Sequence, residues 1–300
     1  MNIEDVRAFV AVVDTGSVGR AALRLNLTQP AISRRVQRLE EVLGVALLDR
    51  DSKPARPTRA GEAAYRKCMA VLRASEALVR ETGATASAGP LRIGVSLGIA
   101  DSVFMPALDA LREAYPETTP HLSGGRTVEL RKVVAEALVD AAIVMTRPDR
   151  PVDEPHAELL GSERVMVVAG TSLATPSRCH LAELAQYSWV INPDGCGFRT
   201  QLERALATAG YPLKVSAESW GTALQLALVA RGAGLGLVAQ RMVRESPHAA
   251  DLRIVEVNDF QPTLNVWLIR AGDLGPLSAP VDVLAETVRD VLRRTRLVEA

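Results

Sequence analysis

The 300-residue sequence contains little cysteine, few aromatic residues and no long hydrophobic run. Its three cysteines, Cys68, Cys179 and Cys196, form no C-x-x-C pair and have no histidine pair nearby, which argues against a disulfide framework and a zinc site. No stretch approaches the roughly 18 apolar residues of a membrane span, and Glu4 and Asp5 make the N-terminus unlike a signal peptide. We therefore expect a cytoplasmic protein with reduced cysteines, no metal or other cofactor and no membrane partner.

Charge of one sign is not in excess, because 35 cationic residues balance 35 acidic ones. Evenly mixed charges would argue against binding to nucleic acid, whose affinity comes largely from phosphate contacts. The charges are not evenly mixed: between residues 20 and 60 nine cations oppose four acids, a net charge of +5, which leaves −5 for the remainder. The nine cations are Arg20, Arg24, Arg34, Arg35, Arg38, Arg50, Lys53, Arg56 and Arg59. Such asymmetry is typical of a chain in which one module binds a polyanion.

The length favours two or three domains, because one hydrophobic core seldom organises 300 residues. With 48% hydrophobic and 23% charged residues, the composition is that of an ordinary globular protein. Neither a disordered nor a disulfide-rich protein is expected.

Three short helices are predicted near the N-terminus. Apolar residues recur at three- and four-residue intervals over residues 3–13, and Gly16 can end this first helix. Ser17 suits the start of a second helix, and after a short turn Thr28 caps a third helix that runs to about residue 44.

The third predicted helix has an apolar side and a polar, cationic side. The apolar arc consists of Ile32, Val36, Leu39 and Leu43. Arg34, Gln37 and Arg38 point away from it, with Ser33 beside them, and these residue types suit the base edges of a major groove. A solvated amphipathic helix would show the same face. The short preceding helix, the tight turn and the Thr28-Gln29-Pro30 start favour a helix-turn-helix instead.

A wing is predicted after this helix. Val45 to Leu48 can form a strand, and residues 49–54 form a polar turn that holds the cations Arg50 and Lys53. Such a turn would suit a position along the phosphates.

A specific pattern runs through these residues, from Gly16-Ser17 through Thr28-Gln29-Pro30-Ala31-Ile32-Ser33-Arg34 to Ala60-Gly61-Glu62. It closely resembles the LysR-type transcriptional regulators. Val18 and Leu48 stand where that family usually has phenylalanine, and Pro57 stands where it usually has leucine. These apolar exchanges alter packing rather than recognition, although Pro57 bears on how the next helix begins.

The resemblance implies a winged helix-turn-helix in residues 1–60 that binds double-stranded promoter DNA. It places the start of the third helix at the bases or their backbone, and the other cations at phosphates. The DNA-binding residues so implied are Thr28, Gln29, Pro30, Ser33, Arg34, Arg35, Arg38, Arg50, Lys53 and Arg56. For any one of these cations the alternative is an ordinary solvated surface residue.

A long helix is predicted next, since no proline interrupts the segment from Thr58 to about Thr82. Its apolar stripe consists of Ala64, Cys68, Val71, Ser75 and Leu78 beside Tyr65, Met69, Leu72 and Val79. The stripe is wider than one partner requires, and the family resemblance implies antiparallel pairing of a linker helix over residues 58–86 in a homodimer. A helix packed within its own subunit is the alternative. Residues 87–90 then form a flexible linker.

Beyond Pro90, short apolar runs alternate with amphipathic helices, which predicts an α/β domain. The candidate strands are Leu91–Val95, Thr119–Ser123, Ala141–Met145, Arg164–Ala169, Trp189–Ile191, Lys214–Ala217, Leu235–Val238, Ile254–Val257 and Asn265–Ile269. The principal candidate helices are 127–139, 198–209, 220–231 and 280–296.

The resemblance extends more weakly over residues 91–300 and implies a two-lobed domain like periplasmic binding proteins. Lobe I would contain 91–162 and 267–300, lobe II would contain 163–266, and a small organic effector would sit between them. The effector-binding residues so implied are Ser96, Leu97, Gly98, Arg126, Thr127, Gly197, Phe198 and Thr222. Hydroxyls and free N–H groups at helix starts suit an anionic effector, and Arg126 would add charge. An ordinary cap or loop residue is the alternative at each position.

The same resemblance implies the partners. We expect a homodimer that assembles into a homotetramer as a dimer of dimers, binds pseudo-palindromic DNA and contacts RNA polymerase. Effector binding would alter the angle between the lobes and hence DNA bending.

Two other motifs point to different functions. Gly94-Val95-Ser96-Leu97-Gly98 fits the G-x-S-x-G nucleophile elbow of hydrolases, but no later histidine stands in a telling context. Residues 232–236 resemble a dinucleotide loop, but they follow a helix and precede a strand, the reverse of what that motif requires. A regulator is therefore expected rather than an enzyme, and the basic N-terminal module argues against a protein that only binds a ligand.

Overall fold

The N-terminal part of the computed structural model consists of helices and a short β-hairpin. Residues 2–49, 52, 54–82, 90–96, 98–99, 103–193, 197–219 and 221–297 are described. The first elements are α1 (Ile3–Thr15), α2 (Val18–Arg24), α3 (Gln29–Leu43), β1 (Leu48–Asp49), β2 (Arg56–Pro57) and α4 (Arg59–Thr82). Their order is that of a winged helix-turn-helix followed by a long helix, as predicted.

The starts of the first three helices follow from their capping residues. The Asn2 side chain accepts the backbone N–H of Glu4 at 3.1 Å, and Asp5 accepts that of Asn2 at 3.3 Å. The hydroxyl of Ser17 caps α2 as predicted. Thr28 occupies the cap position of α3, but its side chain makes no capping hydrogen bond, so its hydroxyl is not used in the way that the sequence suggested.

The core of this module lies between α1, α2 and α3, with Leu47 closing it from the wing side. Ile32, Val36 and Leu39 of α3 are buried, which confirms most of the predicted apolar arc. Leu43 is 42% exposed, so its assignment to the arc was wrong. It lies in the last turn of α3, where Gly44 ends the helix in a left-handed conformation.

The wing is shorter than predicted. Only Leu48 and Asp49 form β1, which pairs antiparallel with β2. Glu40 of α3 explains the difference, because its Oε1 accepts the backbone N–H groups of Leu47 and Leu48 at 2.7 and 3.2 Å. These amides therefore bind a helix side chain rather than a neighbouring strand.

The apolar stripe of the long helix α4 is partly buried and partly exposed. Cys68 and Leu72 are buried in the core that α1 helps to form, while Val71 is 41% exposed. Burial raises the pKa of the Cys68 thiol, which keeps it protonated. Cys68 and Cys179 are free and buried, and Cys196 lies outside the described residues.

The C-terminal part contains a mixed sheet with helices on it. Its strands are β3 (Pro90–Ser96), β4 (Thr119–Gly125), β5 (Ala141–Thr146), β6 (Ala157–Gly170), β7 (Arg178–Cys179), β8 (Trp189–Ile191), β9 (Val215–Glu218), β10 (Leu235–Ala239), β11 (Leu252–Val257) and β12 (Thr263–Arg270). Its helices are α5 (Met105–Ala114), α6 (Thr127–Ala135), α7 (Gly197–Thr208), α8 (Thr222–Ala230), α9 (Gln240–Glu245) and α10 (Ser278–Leu297). Short 3-10 helices cover Leu181–Gln186, Ala249–Asp251 and Gly275–Leu277.

Two strands pass from one lobe to the other. The main path of the sheet runs β4-β3-β5-β12-β6-β10-β8-β9. The first half of β6 pairs with β12, and its second half pairs with β10 and β11. β12 also pairs with β5, beginning at Asn265, two residues before the predicted start of the second segment of lobe I. The lobes have separate cores on either side of this crossing.

The predicted strands all lie within or overlap observed ones, but β6 is much longer than the predicted segment 164–169. Its first half was missed because Gly161 and Ser162 interrupt the apolar pattern. The segment 232–234 joins the end of α8 to β10, as expected for a helix end rather than a dinucleotide loop. Over the described ranges, no helix combines the length and hydrophobicity needed to cross a lipid bilayer.

Candidate nucleic-acid interface and effector cleft

The start of α3 presents a polar face to solvent. Gln29, Pro30, Ser33 and Arg34 are exposed, while Ile32 is fully buried beneath them. Within the described part of the chain no carboxylate lies within ion-pair distance of Arg34. Its guanidinium is therefore available to an external acceptor, such as a base edge or a phosphate.

The two following arginines of α3 have acidic partners on α1. Arg35 binds Glu4 at 2.9 Å, and Arg38 binds Asp5 at 2.8 Å. These pairs tie α3 to α1 and reduce the local positive charge. The sequence could not show them, because the partners are more than 30 residues apart along the chain.

The wing carries Arg56, which is exposed opposite Asp49 in the hairpin. Arg50 and Lys53, also predicted to contact phosphates, lie outside the described residues. The structure thus brings Arg56 to the end of the hairpin next to the helix-turn-helix, and the DNA-contact roles of all ten residues stay predictions.

A cleft between the two lobes gathers the predicted effector residues. It encloses about 750 Å³ of empty space, a figure that includes its open mouth. Ser96, Gly98, Arg126, Thr127, Gly197, Phe198 and Thr222 line it, and Leu97 lies outside the described residues. Their role in binding an effector stays a prediction, but their convergence on one cavity is observed.

Three helices begin at the cleft wall. Thr127, Gly197 and Thr222 are the first residues of α6, α7 and α8. The first N–H groups of a helix have no partner within the helix, and the helix dipole makes its N-terminus electropositive. The cleft therefore offers hydrogen-bond donors from the backbone of both lobes.

Arg126 contributes less charge to the cleft than the sequence suggested. Its guanidinium donates to Glu129 through Nε at 3.0 Å and through Nη2 at 2.5 Å. These hydrogen bonds raise the pKa of Arg126 and hold the pKa of the Glu129 carboxyl below its usual range. The pair is exposed and close to neutral overall, so Arg126 is not a free cation in the cleft.

Several lining residues were not predicted. They are Gly125, Met145, Asn192, Gln225, Leu237, Val238, Ala239, Met242 and Leu264. Gln225 had a signal in the sequence, because it is the single strongly polar residue within the otherwise apolar helix 222–230. Asn192 follows β8 directly, at the strand end where such sheets place ligand groups.

Ser96 does not have the surroundings of a hydrolase nucleophile. Its Oγ lies 3.2 Å from the Thr127 hydroxyl, and no histidine or carboxylate is among the described residues that line the cleft. Within the same part of the chain no cluster of three or more His, Cys, Asp or Glu could hold a metal ion.

A winged helix-turn-helix joined by a long helix to a two-lobed domain with an interlobe cleft defines a class of ligand-responsive transcription regulators. Residues 3–62 match the family profile "Bacterial regulatory helix-turn-helix protein, lysR family", and residues 84–293 match "LysR substrate binding domain". The chain therefore belongs to the LysR family and is a DNA-binding transcriptional regulator with an effector-binding domain.

Individual relatives agree with this assignment. The small neutral protease regulatory protein of Streptomyces coelicolor is 34% identical over 68% of this chain and 68% of its own. The nitrogen assimilation regulatory protein nac of Escherichia coli is 29% identical over 96% of this chain and 95% of its own. The full-length structure of an OxyR variant from Pseudomonas aeruginosa has the same fold, with a TM-score of 0.77 and 23% identity, over 98% of this chain and 97% of that one.

Proposed function

We propose that the chain binds a pseudo-palindromic promoter site as a dimer, with α3 in the major groove and the wing along the phosphates. The carrying observation is the exposed start of α3, where Arg34 has no acidic partner in the described residues. The DNA contacts proposed are Thr28, Gln29, Pro30, Ser33, Arg34, Arg35, Arg38, Arg50, Lys53 and Arg56. For Arg35 and Arg38 to contact DNA, their ion pairs with Glu4 and Asp5 must break.

The test compares two neighbouring arginines. We expect Arg34→Ala to weaken operator binding by roughly 1–3 kcal/mol and to relax sequence preference. Arg35→Ala is the matched control and should have a smaller effect, because Arg35 already binds Glu4. Titrated mobility shifts on operator and random duplex DNA measure the affinity and the sequence preference of each variant. Equal binding by Arg34→Ala and the parent would remove the proposed role.

The cleft supports the second half of the proposal. We propose that a small organic, anionic effector binds between the lobes, contacting Ser96, Leu97, Gly98, Arg126, Thr127, Gly197, Phe198 and Thr222. Effector binding shifts DNA bending only if the effector prefers one arrangement of the lobes. DNA footprints that are identical with and without a ligand known to bind the protein would contradict this coupling.

The remaining roles follow from the same architecture. We propose a homodimer through α4, assembled into a homotetramer, that contacts RNA polymerase at the promoter in the cytoplasm. The proposed domains are a winged helix-turn-helix over 1–60, a linker helix over 58–86, a linker over 87–90 and an effector domain over 91–300. The proposal includes no catalytic reaction and no cofactor, and the hydrogen bond between Ser96 and Thr127 supports a binding role for Ser96.

A further inference from the structure

The hydroxyls of the cleft wall are arranged as acceptors. Thr127 Oγ1 donates its single hydrogen to the carbonyl oxygen of Met145 at 2.8 Å. The contact of 3.2 Å between the Ser96 and Thr127 hydroxyls must then use the hydrogen of Ser96. Both hydrogens are spent within the protein, so Ser96 has lone pairs to offer a ligand and no free donor.

Gln225 presents a second acceptor. Its Nε2 donates to the carbonyl oxygens of Val190 at 2.9 Å and Leu237 at 3.5 Å, which fixes the orientation of the side-chain amide. Oε1 consequently points away from these carbonyls, and it has no hydrogen-bond donor in the described part of the chain. The residue is 1% exposed and lines the cleft.

Asn192 repeats this arrangement. Its Nδ2 donates to the carbonyl oxygen of Ser219 at 3.1 Å and the residue lines the cleft, so Oδ1 is the side-chain atom left to accept a hydrogen bond from a ligand. Lobe II thus presents two amide oxygens whose amide nitrogens are anchored on its own backbone. An amide oxygen that is left unpaired in a closed site costs binding free energy, so these atoms select a ligand that brings a donor.

The donors and the apolar surface of the cleft define the rest of the ligand. The helix starts of α6, α7 and α8 offer backbone N–H groups to an anion, and the Thr222 hydroxyl can donate or accept. Met145, Phe198 and Leu264 add apolar surface.

We propose that the effector is a small carboxylic acid that also carries a hydroxyl or amino group and an apolar body. Its carboxylate binds at the helix starts, its O–H or N–H group donates to Gln225 Oε1 and Asn192 Oδ1, and its apolar part packs on the side chains of the wall. This inference rests on the proposed effector role of the cleft. It adds to the proposed anionic effector a hydrogen-bond donor group, which contacts different residues from those that bind the carboxylate.

The test uses matched acids. Butanoate, hexanoate and 3-phenylpropanoate are each compared with their 2-hydroxy and 2-amino derivatives by calorimetry on the full-length protein. We expect a donor-bearing acid to bind on the order of tenfold more tightly than the plain acid of the same skeleton. Tighter binding by the plain acids, or no binding by any hydroxy or amino acid up to about 10 mM, overturns the proposal.

Variants test which residues accept the hydrogen bond from the ligand's donor group. Gln225→Met should bring the ratio between donor-bearing and plain acid close to one, because the plain acid then no longer leaves this amide oxygen unpaired. Gln201→Met is the matched control, because Gln201 also donates to a backbone carbonyl in lobe II but does not line the cleft, and it should keep the ratio. If Gln225→Met does not fold, Asn192→Leu at the less buried position gives the same readout, and an unchanged ratio there contradicts the proposal.

The outcomes separate this inference from the regulator role. Plain acids that bind best and change the DNA footprint would remove the donor requirement and leave the effector function in place. A hydroxy or amino acid that binds through Gln225 without changing the footprint would support the ligand chemistry and contradict the coupling to DNA.

Discussion

Side chains of similar charge on α3 have different surroundings. Arg34 faces solvent, whereas Arg38 binds Asp5, which itself caps the start of α1. Asp5 is 4% exposed and thus serves both the helix end and the contact between α1 and α3. The buried carboxylate of Asp5 therefore helps to fix the position of α3 against α1.

We predict that Asp5→Ala lowers the free energy of unfolding by about 1–2 kcal/mol, because it removes a cap and a charge-assisted hydrogen bond together. Glu4→Ala is the comparison, since Glu4 pairs with Arg7 and Arg35 at the surface, where ion pairs contribute at most about 1 kcal/mol. Urea unfolding of both variants measures the difference. Equal losses would show that the burial of Asp5 has no special role.

Tyr65 provides a prediction at high pH. Burial, followed by a hydrogen bond to Asp14, raises its pKa to about 12. The neutral phenol is favoured in the folded state, so this contribution to stability is complete below a pH of about 10 and is lost as the pH rises through the folded value. Absorbance at 295 nm should show an ionisation step near pH 12 that is missing in Tyr65→Phe. A step near pH 12 that persists in Tyr65→Phe would contradict the prediction.

Among the described glycines, Gly61 at the junction between the wing and α4 leaves the least space for a side chain. A Cβ at Gly61 would lie 2.0 Å from the carbonyl oxygen of Leu47, so the backbones of helix and wing approach as only glycine permits. The same junction holds Thr58, whose N–H donates to the Leu47 carbonyl oxygen at 2.9 Å and whose hydroxyl donates to that of Ala46 at 2.8 Å. The wing is thereby fixed to the start of the linker helix.

We predict that Gly61→Ala destabilises the N-terminal module by about 3 kcal/mol or more, since backbone must move to admit the methyl group. Gly44→Ala is the control, because Gly44 has a positive φ but open space around it, and it should cost only about 1 kcal/mol. Thermal unfolding followed by circular dichroism compares them. A larger loss for Gly44→Ala would contradict this view of the junction.

The elements also show how far sequence reasoning reaches. The helices α1, α3 and α4 were predicted to within a few residues, because their apolar residues repeat with the helical period and capping residues mark their ends. The first half of β6 and the short wing strand were not, because their conformation depends on partners such as β12 and Glu40 that are distant in sequence.

For the cleft, too, the sequence could predict some features and not others. Seven of the residues that the family pattern implied for effector binding line one cleft, and the (i, i+3) spacing of Arg126 and Glu129 could have indicated their pairing. The direction in which the Gln225 amide points could not be predicted. It depends on two backbone carbonyls from other parts of the chain, at Val190 and Leu237.

For the whole molecule, the exposed part of the α4 stripe allows a test of assembly. We predict that Val71→Glu converts the proposed dimer to a monomer, because it places a charge in the proposed helix pair, and weakens operator binding accordingly. Val215→Glu is the matched control, since Val215 is 39% exposed against 41% for Val71 but lies in β9 of lobe II. Sedimentation velocity measures the oligomeric state of both variants. A Val71→Glu protein that remains dimeric would place the interface elsewhere.

The crossing strands have a mechanical consequence. β6 and β12 are hydrogen-bonded to each other as they pass the junction, with Glu163 opposite Leu264 and Arg164 opposite Thr263. A paired ribbon twists more easily than it folds sharply, since a sharp bend would break several backbone hydrogen bonds at once. For an effector that binds in the cleft as proposed, we therefore expect a small torsion of one lobe against the other rather than a sharp bend between them.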